Sequence, residues 1–159
     1  MAAELRFGLG FDVHPRGVDP PLLLGGVRYE DVPRLEGHSD ADVLCHALAD
    51  AFLGAAALGD LGTHFPDTDL ATAGMAGLDL LESAVELIRE AGLLPRSCDV
   101  VVVAEDPAIA PRRDEMRANV ARVLQVPVDR VSIKATRPEG MGLTGDGVAC
   151  LALAVATTS

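Results

Sequence analysis

The stretch Leu5-Arg6-Phe7-Gly8-Leu9-Gly10-Phe11-Asp12-Val13-His14 carries two patterns at once. Over residues 5 to 13, Phe7, Leu9, Phe11 and Val13 alternate with Arg6, Gly8, Gly10 and Asp12, the period of two that turns one side of a strand to the core. The apolar side is expected to be the core side. Asp12 and His14 stand two apart and so point the same way. A carboxylate beside an imidazole is either a solvated strand end or half of a site for a borderline-soft metal.

Leu22 to Tyr29 is an apolar segment able to pair with that strand. Ser39 stands three residues before Asp42, a capping-box spacing, and a helical pattern follows through about Leu58. A second helix is expected from about Leu78 to Ala91, ended by Gly92 with Pro95 as a stop. Cys98 to Ala104, with Val100 to Val103 in a row, suits a strand buried on both faces. Pro111 can open a third helix that puts Met116, Val120, Val123 and Leu124 on one side. Val131 to Thr136 reads as a strand, 137 to 147 as a Gly-rich loop, and Val148 to Thr157 as a last apolar segment. Strands and helices mix with no repeat, linker or low-complexity tract. The class is therefore α/β (α+β): one small domain over 1–159, with a mixed sheet of four to five strands and helices on one face.

Twenty-four Asp and Glu against 13 Lys and Arg give a formal net charge of -11 over 159 residues. That balance argues against nucleic acid and anionic membrane as partners, because both release counterions only to clustered cations. Lys134 is the sole lysine and aromatics are 3%, too few for a base-stacking platform. Taken alone, the same charge also opposes a phosphorylated substrate. A hydrophobic content of 49% fits a folded core with a surplus for buried interfaces. Cys45, Cys98 and Cys150 are an odd, widely spaced set, as expected of core thiols in a reducing compartment. With neither a signal peptide pattern nor an apolar run of about 18 residues, the sequence reads as a cytoplasmic protein.

All four His and nine of the fifteen Asp lie between Asp12 and Asp69. On the first helix, Asp42, His46 and Asp50 fall at i, i+4 and i+8, a stripe that interrupts turns built from Val43, Leu44, Leu48 and Phe52. Capping explains Asp42 by itself. His46, midway along an apolar helix, needs a partner: a core hydrogen bond, or a metal held also by Asp12 and His14. Two His and one Asp would leave a fourth tetrahedral position open, which marks a catalytic Zn²⁺ site and not a structural one. Asp60, Asp67 and Asp69 fit ordinary turn and capping chemistry, and His64 reads as a surface loop residue without a partner. The loop from Thr136 to Gly145 joins a hydroxyl, the Arg137 guanidinium, the Glu139 carboxylate and three Gly, so its N–H groups can approach phosphate oxygens.

These pieces together are specific. Gly10-Phe11-Asp12-Val13-His14, then His38-Ser39-Asp40-Ala41-Asp42-Val43-Leu44-Cys45-His46-Ala47-Leu48, then Gly59-Asp60-Leu61-Gly62 and Phe65-Pro66-Asp67-Thr68-Asp69, closely resemble the 2-C-methyl-D-erythritol 2,4-cyclodiphosphate synthase family. The resemblance runs in order along nearly the whole chain. It implies a homotrimer with active sites between neighbouring subunits, a phosphorus-oxygen lyase of the methylerythritol phosphate route to isoprenoids. In that family a CDP-linked methylerythritol 2-phosphate is the substrate. Its 2-phosphate attacks the β-phosphate of the same molecule, giving the cyclic diphosphate and CMP.

Carried over by position, the resemblance makes Asp12, His14 and His46 ligands of Zn²⁺, and gives Glu139 a Mg²⁺ or Mn²⁺ that bridges the CDP phosphates. The metals would act as Lewis acid and template. His38 and Arg137 would flank the reacting phosphates as catalytic residues. Asp12, Val13, His14 and Ser39, the turn Asp60-Leu61-Gly62 and the loop Phe65-Pro66-Asp67-Thr68-Asp69 would contact substrate and hold its methylerythritol part. Ala104, Glu105, Asp106, Pro107, Ala108, Ile109 and Ala110 would wrap the cytosine of a neighbouring subunit's ligand, and Thr136 and Pro138 would lie at its phosphates. Leu143 and Asp146 complete the implied contacts. They stand where some members have Phe and Arg near a trimer-axis cavity for an isoprenoid. Arg137 stands where Thr is common, and Ala108 where Lys is frequent.

Two other classes fit the D-x-H plus His pattern: a Zn²⁺-dependent phosphohydrolase that activates water, and a non-enzymatic metal-binding oligomer. Neither requires both the Glu139 loop and the Ala104 to Ala110 segment. The resemblance also removes the objection from net charge, since Asp12 and Glu139 would hold divalent ions whose charge reverses the local sign.

Overall fold

The first strand, β1 (Leu5–His14), turns its glycines inward and its aromatics outward. In the computed structural model, which describes residues 3–37, 39–66, 68–142 and 144–158, Phe7, Leu9, Phe11 and Val13 are 62%, 70%, 61% and 45% exposed. The expectation that they face the chain's own core is thus reversed. The reason is steric. Gly8 and Gly10 lie under helix α1 (Val43–Ala55), where a Cβ on Gly8 would meet the Ala51 carbonyl oxygen at 1.9 Å and one on Gly10 the Ala47 carbonyl oxygen at 1.9 Å. Only hydrogen fits, so helix backbone lies directly on strand backbone. Ala47, Ala51 and Ala55, one helical stripe, are the buried partners of this contact. Alternation fixes a strand and its two faces, but not which face another layer covers.

The last strand, β6 (Val148–Thr158), continues the same small-residue face. It pairs antiparallel with β1, and its Cys150, Ala152, Ala154 and Ala156 are buried. The strands β4 (Leu93–Val103) and β5 (Val131–Thr136) complete a four-stranded mixed sheet in the order β1-β6-β4-β5, with β4 and β5 parallel. Helix α1 packs on β1 and β6, α3 (Gly77–Glu90) on α1 and β4, and α4 (Arg113–Leu124) on β5 and α3. The fold is mixed α/β. Phe52, Leu44, Leu48 and Leu53 of α1 are fully buried, each contributing about 1.5–3 kcal/mol of burial.

Several boundaries differ from the sequence expectation. Leu22 to Tyr29 does not join β1; it folds on itself as β2 (Leu22–Leu24) and β3 (Val27–Tyr29). Gly25 and Gly26, with φ of +57° and +70°, form the turn, and positive φ at both central residues is what a type I′ hairpin requires. Helix α1 is capped by Asp42 and not by Ser39, and it stops at Ala55, short of Leu58. The fully buried Asp42 carboxylate accepts from Cys45 N at 3.2 Å, Gly25 N at 2.9 Å and Gly26 N at 2.8 Å, so the cap also fastens the hairpin turn to the helix. Pro95 lies inside β4, at a register shift, and does not follow the helix as a stop. Val100 and Val102 are buried while Val101 and Val103 are half-buried, so β4 is covered on one face and not on both. The bounds of β5 and the buried stripe Met116, Val120, Val123 and Leu124 of α4 are as the sequence implies.

Candidate active site

Gly8, Gly10, Asp12 and His14 share one side of β1, so the close approach of α1 delivers His46 onto Asp12 and His14. His14 Nε2 lies 2.8 Å from Asp12 Oδ2, His46 Nδ1 lies 3.1 Å from the same oxygen, and the two ring nitrogens are 3.3 Å apart. One ligand atom from each residue falls within 4.8 Å of the others. The outer nitrogens are also held. His14 Nδ1 donates to the Glu36 carbonyl at 2.8 Å, and His46 Nε2 is 3.0 Å from Ser39 Oγ. Gly37 leaves room for this, since a Cβ there would come within 2.6 Å of the His14 ring.

The donor set fits a divalent cation. The Glu36 carbonyl can only accept, so in the neutral His14 ring Nδ1 carries the proton and Nε2 is left with a lone pair that a cation beside Asp12 can take. Burial raises the Asp12 carboxyl, but the hydrogen bonds and charge of His14 and His46 outweigh it and hold the group well below the usual carboxylate range. The hydrogen bond from His14 to Asp12 in turn holds the His14 imidazolium above its ordinary value, against burial. A carboxylate that stays ionised and a ring nitrogen that attracts a cation are what such a site requires.

The three ligand atoms open into a cavity of ≈ 360 Å³ that is also lined by Ser39, Leu61, Gly62 and Phe65, all expected at the substrate, and by Asp50, Thr72 and Leu80. Asp60, exposed and not in the lining, caps α2 (Leu61–His64), accepting from Thr63 N at 2.9 Å and Thr63 Oγ1 at 2.8 Å. Val13 points to the opposite face of β1 from the cluster, so only its backbone is on the cavity side. Pro66, Thr68 and Asp69 continue as an exposed loop in which Asp69 N donates to the Pro66 carbonyl. His64 is not a partnerless surface residue: it lies in α2, its Nε2 2.8 Å from the Leu58 carbonyl.

A second, separate pocket of ≈ 220 Å³ gathers Ala104, Glu105, Pro107, Ala108, Ile109 and Ala110 with Thr136 and Arg137. Parallel pairing of β4 with β5 brings the two segments together, and Ala104 N donates to the Thr136 carbonyl at 3.2 Å. Asp106 offers its carbonyl to Arg16. Pro138, which is buried, and the exposed Glu139 follow in a turn closed by Met141 N donating to the Pro138 carbonyl, and Glu139 is not one of the three clustered ligands. Asp146 is exposed. His38, Asp67 and Leu143 lie outside the described residues.

A family model described as the YgbB family matches residues 5–159. The chain belongs to the YgbB family. A relative from Symbiobacterium thermophilum, a 2-C-methyl-D-erythritol 2,4-cyclodiphosphate synthase, is 53% identical over 153 residues, 95% of this chain and 98% of that one. The bifunctional IspDF from Campylobacter jejuni superposes with a TM-score of 0.94 at 38% identity, over 99% of this chain and 43% of that one. A 2C-methyl-D-erythritol-2,4-cyclodiphosphate synthase in its CDP-bound form gives a TM-score of 0.86 at 31% identity, over 94% of this chain and 98% of that one.

In this YgbB-family chain four lining residues, Gly37, Asp50, Thr72 and Leu80, carry no role in the sequence reading. Asp50 belongs to the helical stripe, and its position at i+4 from His46 was the available signal. Its carboxylate accepts from Leu61 N at 2.7 Å and is raised by burial. Gly37 and Thr72 give no sequence signal, because their places follow from loop paths.

Proposed function

We propose that this chain is a phosphorus-oxygen lyase that converts 4-diphosphocytidyl-2-C-methyl-D-erythritol 2-phosphate to 2-C-methyl-D-erythritol 2,4-cyclodiphosphate and CMP, in the non-mevalonate route to isoprenoids. The observation that carries this reading is the 53% identity, over 95% of the chain, to a relative named 2-C-methyl-D-erythritol 2,4-cyclodiphosphate synthase, together with the Asp12, His14 and His46 cluster of this chain. One domain, 1–159, supplies all the parts.

In this reading Asp12, His14 and His46 hold Zn²⁺, and the Glu139 carboxylate, a hard oxygen donor, holds Mg²⁺ or Mn²⁺. The bound ions supply charge neutralisation at the phosphates and alignment of attacking and leaving oxygens. Asp12 is kept ionised by its two imidazoles, and Ser39 and the Glu36 carbonyl orient those rings. Arg137 and Thr136 stabilise charge on the diphosphate, with His38 at the transferred group. The oxygen of the 2-phosphate forms a bond to the β-phosphorus as the bond to the CMP oxygen breaks, so neither a protein nucleophile nor water enters. The cavity wall of Leu61, Gly62 and Phe65 holds the apolar carbons of methylerythritol, and its neighbours Asp60, Pro66, Asp67, Thr68 and Asp69 hold its hydroxyls. The 104–110 loop cradles cytosine.

The active form in this reading is a homotrimer. Its support is the uncovered sheet face, on which Phe7, Leu9 and Phe11 stand beside Leu151 and Leu153, 46% and 38% exposed. The metal cavity and the 104–110 pocket are separate in one chain, and in this reading each site takes one from each of two neighbours. No described helix is long and apolar enough to cross a membrane, and the reading places the enzyme in the cytoplasm. Incubation of the purified protein with the CDP-linked substrate and Mg²⁺ or Mn²⁺ tests the function. CMP is expected, and it should disappear with chelator; release of inorganic phosphate would instead favour a hydrolase.

A further inference from the structure

Arg16 lies two residues beyond His14, and its guanidinium reaches three backbone carbonyls on three different segments. Nη1 donates to Pro33 at 3.1 Å, Nη2 to Asp106 at 2.6 Å and Nε to Asp146 at 3.1 Å. The charge makes no close ion pair among the described side chains, so the planar fork works as a three-way clamp. Its base is fixed too, since Glu36 N donates to the Pro15 carbonyl at 2.9 Å and Gly17 N to the Arg34 carbonyl at 2.8 Å.

The clamped segments bear on the second pocket. Asp106 sits between Glu105 and Pro107, both in its lining, and Asp146 closes the 137–147 loop, whose start carries Arg137. Among the described residues, the direct hydrogen bonds that link these two stretches are Gly140 N to Glu105 Oε1 at 3.2 Å and Ala104 N to the Thr136 carbonyl at 3.2 Å. We infer that Arg16 is a positioning residue for the nucleotide end of the ligand, which holds the 104–110 and 137–147 loops in one arrangement and ties them to the strand that carries Asp12 and His14. This rests on the cyclodiphosphate synthase reading for the identity of the nucleotide. A pocket built from backbone groups on loops binds tightly only if those loops are ordered beforehand, and Arg16 supplies that order.

The test compares the purified parent with Arg16→Ala and Arg16→Lys, by hydrogen exchange and by CDP titration. In Arg16→Ala, exchange in peptides covering 104–110 and 144–147 should accelerate while α1 and β6 keep parent rates. CDP affinity should fall roughly tenfold, with KM for the CDP-linked substrate rising by a similar factor and kcat changing less. Arg16→Lys should recover part of the protection, because an ammonium reaches fewer of the three carbonyls. Parent exchange rates and parent CDP affinity in Arg16→Ala would overturn the inference. A parent that does not bind CDP would defeat the functional reading instead, and loop exchange alone would then decide the role of Arg16.

Discussion

His46 Nδ1, on α1, lies 3.1 Å from Asp12 Oδ2, on β1, across 34 residues of sequence. The contact exists because Gly8 and Gly10, on the same side of β1 as Asp12, let the helix backbone down onto the strand. Packing and site are therefore one construction: what sets the strand–helix distance also sets the ligand distance.

Gly10→Ala tests that link. Its methyl would sit 1.9 Å from the Ala47 carbonyl oxygen, a backbone atom that cannot rotate away. Urea unfolding should show a loss of about 3 kcal/mol, at the upper end for an overpacked core, with metal content falling alongside. A parent-like midpoint with full metal content would show that helix and strand are not in this contact.

His46→Ala should lose Zn²⁺. It removes one of three clustered ligands and leaves Asp12 with His14 alone. Elemental analysis of the purified variant should read far below the parent, and unchanged metal content would remove His46 from the site.

Metal uptake should depend on pH in a direction fixed by His14. Its hydrogen bond to Asp12 raises the imidazolium above the ordinary histidine value of 6.5, so a proton competes with the ion at higher pH than at an isolated histidine. For the metal-free protein, the protonated pair stabilises the fold below the unfolded histidine pKa, and that contribution is lost as pH rises through the folded value. Zn²⁺ titrations should show affinity dropping as pH is lowered, with the drop beginning above 6.5. A flat profile down to pH about 6 would contradict the ligand role of His14.

Phe11→Asp should abolish assembly. Phe11 pairs with Leu151, which pairs with the half-buried Val101, and Phe11 and Leu151 stand exposed on the outer sheet face. A carboxylate buried there without a partner is costly. Sedimentation should find a trimer for the parent and a monomer for the variant, and a trimeric variant would remove this face from the interface.

The parts legible in the sequence were those governed by local rules. Strand periodicity located β1 and the apolar stripe located α4, while the spacing of Asp12, His14 and His46 left a core hydrogen bond open and the family resemblance named the cluster now seen within 4.8 Å. The sidedness of β1 was not legible, because the exposed Phe7, Leu9 and Phe11 show the same alternation as a core-facing set. The Gly25-Gly26 turn was written in the sequence, since adjacent glycines between apolar pairs are a hairpin signal, yet the segment reads equally as one strand. Asp50 was reachable through its i+4 spacing from His46 on α1, whereas Gly37 and Thr72 entered the cavity wall through loop paths that no local rule fixes.

The cyclisation itself is most directly tested by running the reaction in heavy-oxygen water and measuring the products by mass spectrometry and phosphorus NMR. Attack of the substrate's own 2-phosphate on the β-phosphorus predicts 2-C-methyl-D-erythritol 2,4-cyclodiphosphate and CMP with no solvent oxygen in either. Heavy oxygen incorporated into a phosphate of the products, or a linear diphosphate in place of the cyclic one, would show that water is the nucleophile and would contradict it.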